Sequence, residues 1–438
     1  MQGVPPHYPR AVVKRIIPEA DLTIPTFRER GTSGAYPVAM QTSPARSFLR
    51  LRTTDESHRV TTLELFFDLV FVFAFTQVTG FMAESHSAVG VLQGLVILAM
   101  LWWSWTSYSW LANQTRIDEG IARVGFCAAI VLLFIVSLAI PEAFDDREGG
   151  LFAPVVLVVA YLFIRLIHGF VYLAAAGDDL GLRRQLYRSV WPMVLGVSLM
   201  LTGALLGGPW QVWFWLAGIG LDVLFTYFLS VGGGWRVQSA AHWAERYGLI
   251  VMLALGESIV EIGFGAAQEP LSGPILAASV FAVGLSIALW WMYFDIVSIG
   301  AEKYLAKLSG TDRADLASDA YTYLHFTLVA GVIISALGVE NVLAHLDSEH
   351  DLELFGSVAL FGGTSLYLAG HAFFWRRVAH RWLPSRLIGA AVLLALIPVG
   401  AGLPSLAAIA LATAVTAAVV AVETLTYARE RAAVRAGD

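Results

Sequence analysis

Charge is scarce in this sequence. Only 14% of its 438 residues are Asp, Glu, Lys or Arg, whereas 57% are hydrophobic. Soluble domains carry about 25% charged residues. The composition therefore excludes an ordinary soluble globular protein and indicates a chain with several membrane-spanning helices. The net charge of −6 is small and identifies no particular class of partner.

Cysteine is almost absent, and so are the common catalytic motifs. Cys127 is the single cysteine, so the chain has no internal disulfide framework and no cysteine-based metal cluster. The sequence contains no phosphate-binding glycine loop, no H-E-x-x-H zinc motif and no basic-aromatic patch typical of nucleic-acid binding. Gly256-Glu257-Ser258 lacks the closing glycine of a nucleophile elbow. We therefore predict a protein that is not an enzyme, with no catalytic residues, no metal ligands and no nucleic-acid partner; the cofactor is left unassigned.

Apolar stretches of about 20 residues, long enough to cross a bilayer, recur twelve times along the chain. Glycines and prolines punctuate them at positions typical of turns. The pattern predicts an all-α polytopic membrane protein. The predicted spans are 61–83, 89–111, 121–141, 152–174, 188–207, 210–231, 244–266, 271–297, 317–339, 352–374, 385–403 and 405–427.

The basic residues predict the orientation of these spans. All of the 28 Lys and Arg residues except Arg147 and Arg165 fall on one side of a twelve-span arrangement, and basic loops stay in the cytoplasm. We expect a multi-pass protein of the inner (cytoplasmic) membrane with both termini in the cytoplasm. Residues 1–58 are predicted to form a flexible tail without a cleavable signal, and residues 429–438 a short second tail.

The twelve predicted helices divide into two similar sets of six, over residues 59–232 and 233–428. Similar residues occupy equivalent places: Trp102 and Trp103 match Trp290 and Trp291, His168 matches His371, Glu64 matches Glu245, Glu142 matches Glu340, and Asp222 lies close to Glu423. Because six is even, both sets would enter the membrane from the same side. The sequence therefore predicts two parallel repeats related by a pseudo-two-fold axis along the membrane normal.

Ionisable residues within apolar helices are costly and tend to line cavities or pathways. Glu64 and Asp68 lie one turn apart on one face of the first helix, and Glu257 falls in the outer half of the seventh. The candidates for an ion or substrate pathway are Asp68, Glu257, Glu64, Arg165, His168, His371, His325 and Asp222. Residues predicted to pack helices or line a cavity are Trp102, Trp103, Trp290, Trp291 and Gly256, the last because a glycine admits a close helix or ligand.

Structural alternatives exist for several of these residues. Glu64 could be a helix-start acid that faces a nearby base such as Arg59. Arg165 requires a carboxylate, for which Asp68 and Asp222 are both candidates. The histidines could be hydrogen-bonded structural residues, a proton relay, or ligands of a haem or metal.

Two stretches resemble the signature blocks of the bacterial low temperature requirement protein A (LtrA) family: LELFFDLVFVFAFTQ at 63–77 and HWAERYGLIVMLALGESIVEIG at 242–263. LVAGVIISALGVEN at 328–341 is similar to a further part of that family's sequence. The resemblance covers residues 59–428 and implies a bacterial membrane protein, although the family name records cold growth rather than a biochemical activity. FFDLVFVFA at 66–74 also resembles the F-S-D stretch of two-repeat potassium-permeable channels, with Phe67 in place of the serine.

Three functions remain open from the sequence. Twelve spans with buried carboxylates favour a transporter or an ion- or proton-coupled permease. The channel-like stretch favours a monovalent cation channel. The Trp-rich, His-bearing interior is compatible with a membrane receptor for a ligand or with a membrane enzyme. The expected partners are the lipid bilayer and small ions or protons, with the chain either a monomer or a homodimer.

Overall fold

The computed structural model describes residues 51–230, 234–267, 270–346 and 351–428. Within these ranges the chain is almost entirely helical. The predicted C-terminal tail, and the predicted N-terminal tail up to residue 50, lie outside the described residues. The helices are α1 (Thr62–Ser85), α2 (Ala88–Gln114), α3 (Gly120–Ala139), α4 (Ala153–Ala176), α5 (Leu180–Leu206), α6 (Gly208–Ser230), α7 (Ala240–Ala267), α8 (Gly273–Phe294), α9 (Val297–Lys307), α10 (Gly310–Leu316), α11 (His325–Ala344), α12 (Glu353–Ser357), α13 (Gly363–Ala379), α14 (Pro384–Gly400) and α15 (Ser405–Thr426).

Ten helical stretches in the described part of the chain are long and apolar enough to cross a membrane. Two of them combine shorter helices, because α8 continues into α9 and α10 continues into α11. The helix α14 is apolar but has only 17 residues, and α12 and α13 form one further stretch with the segment between them. The protein is therefore an all-helical, multi-pass membrane protein.

Local capping determines where two of these helices begin. At the start of α1, the Thr61 hydroxyl accepts a hydrogen bond from the Glu64 amide, and the Glu64 side chain accepts one from the Thr61 amide, which is a capping box. At the start of α5, the Asp179 side chain accepts from two backbone amides. Because of this cap, α5 begins at Leu180 rather than at the predicted residue 188.

Two π-helical segments interrupt the second half of the chain, at Ala317–Leu324 between α10 and α11 and at Val358–Gly362 between α12 and α13. Wider π turns leave backbone groups available for other partners. Thr322 illustrates this, since its carbonyl accepts from the Trp102 indole at 2.9 Å and its hydroxyl from the Trp110 indole at 3.1 Å. The π segment thereby joins α2 to the α10–α11 stretch.

Glycines bring α11 against the helix that contains α12 and α13. A Cβ atom at Gly338 would lie 2.2 Å from the backbone nitrogen of Leu360, and one at Gly331 would lie 2.6 Å from that of Tyr367. Small residues of this kind allow membrane helices to approach closely. Gly256 does not act in this way, because a Cβ atom built there meets no described atom within 4 Å. Among the described residues no helix approaches Gly256 closely, and the close approaches occur on α11 instead. The approach of a ligand to Gly256 stays a prediction.

Helices α1 and α7 run parallel and pack along their lengths. Three side-chain contacts follow one another in the same order on both helices: His242 with Glu64, Arg246 with Asp68, and Glu257 with Thr76. Residues 51–60 also pack on the helical body, since the Ser239 hydroxyl hydrogen-bonds the backbone carbonyls of this segment. Part of the predicted tail therefore contacts the helices.

Candidate functional site

Arg246 forms ion pairs with both acids at the start of α1. Its guanidinium lies 2.6 Å from the Asp68 carboxylate and 3.4 Å from that of Glu64, and all three side chains are buried. Asp68 also accepts from the Trp105 indole at 2.9 Å, and the guanidinium lies over the Trp105 ring at 5.2 Å. The base that answers Glu64 is therefore Arg246 rather than Arg59. Arg246 lies within α7 rather than in a loop. The prediction of the membrane orientation had counted it among the basic residues of the loops.

A histidine completes this central ion network. His242 lies with Nε2 2.7 Å from the Glu64 carboxylate and Nδ1 3.0 Å from the Asn113 amide nitrogen. The Asn113 amide is oriented by backbone groups: its nitrogen donates to the Ser239 carbonyl and its oxygen accepts from the Gln238 amide. The Asn113 nitrogen therefore also donates to His242 Nδ1, so the His242 proton resides on Nε2 and is donated to Glu64.

His58, Glu64 and His242 together offer three ligand atoms within 4.8 Å of one another. This spacing is compatible with a metal ion, but the hydrogen bonds are not. A metal at His242 Nε2 would displace the proton donated to Glu64 and would leave Nδ1, already an acceptor, without a proton of its own. Burial lowers the pKa of His58. The geometry thus fits a hydrogen-bonded network better than a metal centre.

A second buried ion pair lies between α4 and α6. Arg165 is 3.2 Å from the Asp222 carboxylate and donates to the Ser107 hydroxyl at 2.5 Å. Asp222 also accepts from the Trp103 indole at 2.9 Å. Of the two acids considered for Arg165 from the sequence, the partner is Asp222, because Asp68 is bound to Arg246.

A cavity of about 300 Å³, here called cavity 1, lies beside this pair. Its wall is mostly apolar and aromatic, and includes Trp103, Trp110, Tyr172 and Tyr323 as well as Arg165 and His168. Arg165 Nε and His168 Nε2 are buried and have no hydrogen-bond partner among the described residues. Cavity 1 can therefore hold a small, largely apolar molecule or water beside Arg165 and His168.

A third buried ion pair, Arg386 with Glu423, lies in the second half of the chain. It is bidentate, with distances of 2.9 Å from Nε to Oε1 and 2.8 Å between Nη2 and Oε2. Arg386 also contacts His371 Nδ1. The sequence aligned Glu423 with Asp222 and His371 with His168, but counted Arg386 among basic loop residues. Because the sequence repeat aligned Glu423 with the buried Asp222, a buried basic residue was to be expected near Glu423. This alignment was the sequence signal for that residue.

His325 is fully enclosed by aromatic side chains. Its Nε2 atom lies 2.9 Å from the Tyr293 hydroxyl, and its ring stacks on Tyr321 with the centroids 5.1 Å apart. The Tyr293 ring in turn contacts His371 edge-on. These contacts connect His325 to the Arg386 pair through aromatic rings, and all its polar contacts are within the protein.

The predicted tryptophan pairs differ in environment. Trp102 and Trp103 are buried, and both indole nitrogens donate hydrogen bonds. Trp290 and Trp291 are 40% and 38% exposed. The first pair therefore packs the protein interior, whereas the second lies nearer the surface.

Glu257 belongs to a row of acids that spans from the helix interior to a helix end. Its side chain is 0% exposed and accepts from the Thr76 hydroxyl at 2.8 Å. The Glu261 carboxyl lies one turn further along α7 and is 7% exposed. Residues four positions apart lie on the same face of a helix. Two neighbouring buried carboxylates repel each other, and a proton shared between them would relieve this repulsion.

Two further acids extend this row. Glu340 on α11 is half-buried and interacts electrostatically with Glu261 and with Glu84. Glu84 is exposed and lies in the last turn of α1. Exposure therefore falls stepwise from Glu84 through Glu340 to Glu261 and Glu257. We call these four residues the acidic row.

Sequence comparison places this arrangement in a family. The family model of the bacterial low temperature requirement A protein (LtrA) matches residues 59–421. The chain belongs to the LtrA family. The "Uncharacterized protein RA0937" of Rhizobium meliloti (strain 1021) is 28% identical over 364 residues, which are 80% of this chain and 84% of the relative. No solved structure matches the chain.

The two LtrA-like sequence blocks meet in the structure. Glu64 and Asp68 come from the first block, and His242, Arg246 and Glu257 come from the second. They face each other across the contact between α1 and α7. In this LtrA protein, the most recognisable sequence therefore encodes the polar contacts between α1 and α7, with one group at His242 and Arg246 and another at Glu257.

Proposed function

We propose that this LtrA-family protein is a proton-coupled permease of the bacterial inner membrane. The observation that supports this proposal best is the acidic row, which leads from the exposed Glu84 to the buried pair of Glu261 and Glu257. Buried ionisable residues arranged in such a series are typical of proton pathways through membrane proteins. The substrate would occupy cavity 1, beside the Arg165 pair.

We further propose that the chain forms twelve spans in two parallel six-helix repeats, with both termini in the cytoplasm. The parallel contact of α1 with α7 supports this, because these are the first helices of the two proposed repeats. The pairs Arg165–Asp222 and Arg386–Glu423 support it as well, since their acids were aligned by the sequence repeat. Repeats of this kind commonly form a transport site between them.

The proposed mechanism separates the proton site from the substrate cavity. A proton enters at Glu84 and passes through Glu340 to the Glu261–Glu257 pair. Below that pair, the buried rings of Phe71 and Phe75 lie on α1 between Asp68 and Thr76, and they close the direct route along α1. A rearrangement of α1 against α7 would then couple release of the proton to access at cavity 1.

Charge displacement after a sudden pH change tests this function without knowledge of the substrate. Reconstituted protein is adsorbed on a solid-supported membrane, and the current after a pH jump is recorded. We expect a transient current in the wild type, because protons move from the surface into the buried acidic row. Glu257→Gln should abolish most of it, since the amide cannot take up a proton.

Glu142→Gln provides the matched control. Glu142 is also a carboxylate near a helix end, but it is not part of the acidic row and pairs with Arg147 at 3.9 Å. This variant should displace as much charge as the wild type. Equal currents from the wild type and Glu257→Gln would refute the proposal. A sustained current after a potassium jump at constant pH would instead favour a cation channel.

A further inference from the structure

A second cavity, of about 590 Å³ and here called cavity 2, lies in the second half of the chain. Cavities of this size are typical of ligand sites. Four basic residues line it, namely Lys303, Lys307, Arg381 and Arg386, against the two acids Asp295 and Glu423. Because Arg386 is bound to Glu423, the remaining wall still has an excess of positive charge.

Lys307 and Arg381 provide this excess. Neither forms an ion pair within 4.0 Å with a described residue, and both side chains are exposed at the cavity rim. The Lys307 ammonium lies 5.7 Å from the centre of the Tyr304 ring. Two cations at a cavity rim that lack an ion-pair partner among the described residues are suited to bind an external anion, and phosphate oxygens are strong acceptors for both side-chain types.

The position of cavity 2 indicates the source of that anion. Its wall is formed where α9, α13 and α15 end and α14 begins, and helix ends lie at the membrane surface. The tryptophans Trp291, Trp375 and Trp382 line the same cavity. Tryptophan at this depth is typical of the lipid headgroup region, and basic pockets between membrane helices bind anionic headgroups.

We propose that cavity 2 binds an anionic phospholipid, with its phosphate between Lys307 and Arg381 and its acyl chains along the adjoining apolar helix surfaces. The site is independent of the permease function. Cavity 1 provides an internal contrast, because Arg165 is the single basic residue on its wall and is already paired with Asp222. Of these two cavities, only cavity 2 thus combines an aromatic rim with basic side chains that have no ion-pair partner among the described residues.

Lipid binding to the purified full-length protein tests this site. Dioleoyl phosphatidylglycerol is titrated into protein in detergent, and bound lipid is counted by native mass spectrometry while the melting temperature is followed by tryptophan fluorescence. Phosphatidylethanolamine with the same acyl chains and inorganic phosphate serve as separate ligands. We expect phosphatidylglycerol alone to raise the melting temperature, with one tightly bound lipid.

The charge-removing variant Lys307→Gln/Arg381→Gln should bind phosphatidylglycerol about thirtyfold more weakly, or about fivefold for each basic group near an anionic headgroup. Lys307→Arg/Arg381→Lys should retain binding, because it retains both charges. The matched control is Arg184→Gln/Arg188→Gln, which removes two exposed basic residues of α5 outside both cavities. It should bind the lipid nearly as well as the wild type.

Three results would overturn the proposal. Equal stabilisation by inorganic phosphate would identify a site for a free anion rather than for a lipid. Equal stabilisation by phosphatidylethanolamine would show that the headgroup charge is not recognised. An equal loss of binding in the α5 control would show that the attraction is a diffuse property of the basic surface.

Discussion

Replacing Arg246 by methionine would measure how much the central ion network stabilises the fold. The replacement leaves Glu64 with three other hydrogen-bond donors, but leaves Asp68 with the Trp105 indole alone. Removing one partner of a buried ion pair costs about 3–5 kcal/mol. Because Arg246 is fully buried, we expect Arg246→Met to lower the free energy of unfolding by about 4 kcal/mol.

Asp68→Asn should cost much less. The asparagine oxygen can still accept from the Trp105 indole, and Arg246 keeps Glu64 as its counter-ion. We expect a loss of about 1–2 kcal/mol, as for a hydrogen bond to a charged group. In the double variant no uncompensated charge is left at position 68. Its cost should therefore fall short of the sum of the two single costs by at least about 1 kcal/mol.

The assay is equilibrium unfolding of all variants in mixed micelles with increasing SDS, followed by tryptophan fluorescence. Arg147→Met is the control, because Arg147 is 69% exposed and lies 3.9 Å from Glu142. It should change the unfolding free energy by less than about 0.5 kcal/mol. The reasoning fails if Asp68→Asn costs as much as Arg246→Met, or if the two single costs simply add.

Two further predictions concern a histidine and a glycine. Burial lowers the pKa of His58, so the folded protein binds fewer protons than the unfolded chain below about pH 6.5 and loses stability on acidification. The His58→Gln variant should therefore show a smaller fall in melting temperature than the wild type between about pH 7 and about pH 5.5. A fall as large as that of the wild type would contradict this. Gly338→Ala should cost about 1–3 kcal/mol, because its methyl group would meet the Leu360 backbone. The control Gly256→Ala should be neutral or stabilising, and equal losses in the two variants would show that the α11 contact is not tight.

Ten of the twelve predicted spans correspond to described helical stretches that are long and apolar enough to cross a membrane, because crossing a bilayer demands long apolar stretches whatever the tertiary contacts are. The start of α5 was missed because Asp179 extends the helix by a cap into a basic segment that hydropathy treats as a loop. Arg246 and Arg386 were missed for the same reason, because hydropathy assigns basic residues near helix starts to loops. Both are buried in the structure, where they pair with acids from other helices. Such pairings are properties of the packed structure, and a linear count of basic residues does not contain them.

The acids were easier to predict than their partners. Asp68, Asp222 and Glu257 stand out in the sequence because each lies within an apolar helix, where an unpaired charge is costly. The same argument could not distinguish a carboxylate that is paired with arginine from one that lies beside another acid. Asp68 receives Arg246 from the neighbouring helix α7, whereas Glu257 has Glu261 one turn away on its own helix.

The ion pairs Arg165–Asp222 and Arg386–Glu423 show which features the two proposed repeats share. Asp222 and Glu423 occupy similar places in the last helices of the two proposed repeats, yet Arg165 comes from the fourth helix of the first proposed repeat and Arg386 from the fifth helix of the second. A buried carboxylate requires one compensating cation at a suitable distance. Its electrostatic stabilisation does not depend on which helix supplies that cation. The choice does matter for the adjacent cavity. With Arg386 bound by two hydrogen bonds to Glu423, recognition at cavity 2 falls to Lys307 and Arg381. Arg165 lines cavity 1, and its buried Nε atom has no hydrogen-bond partner among the described residues.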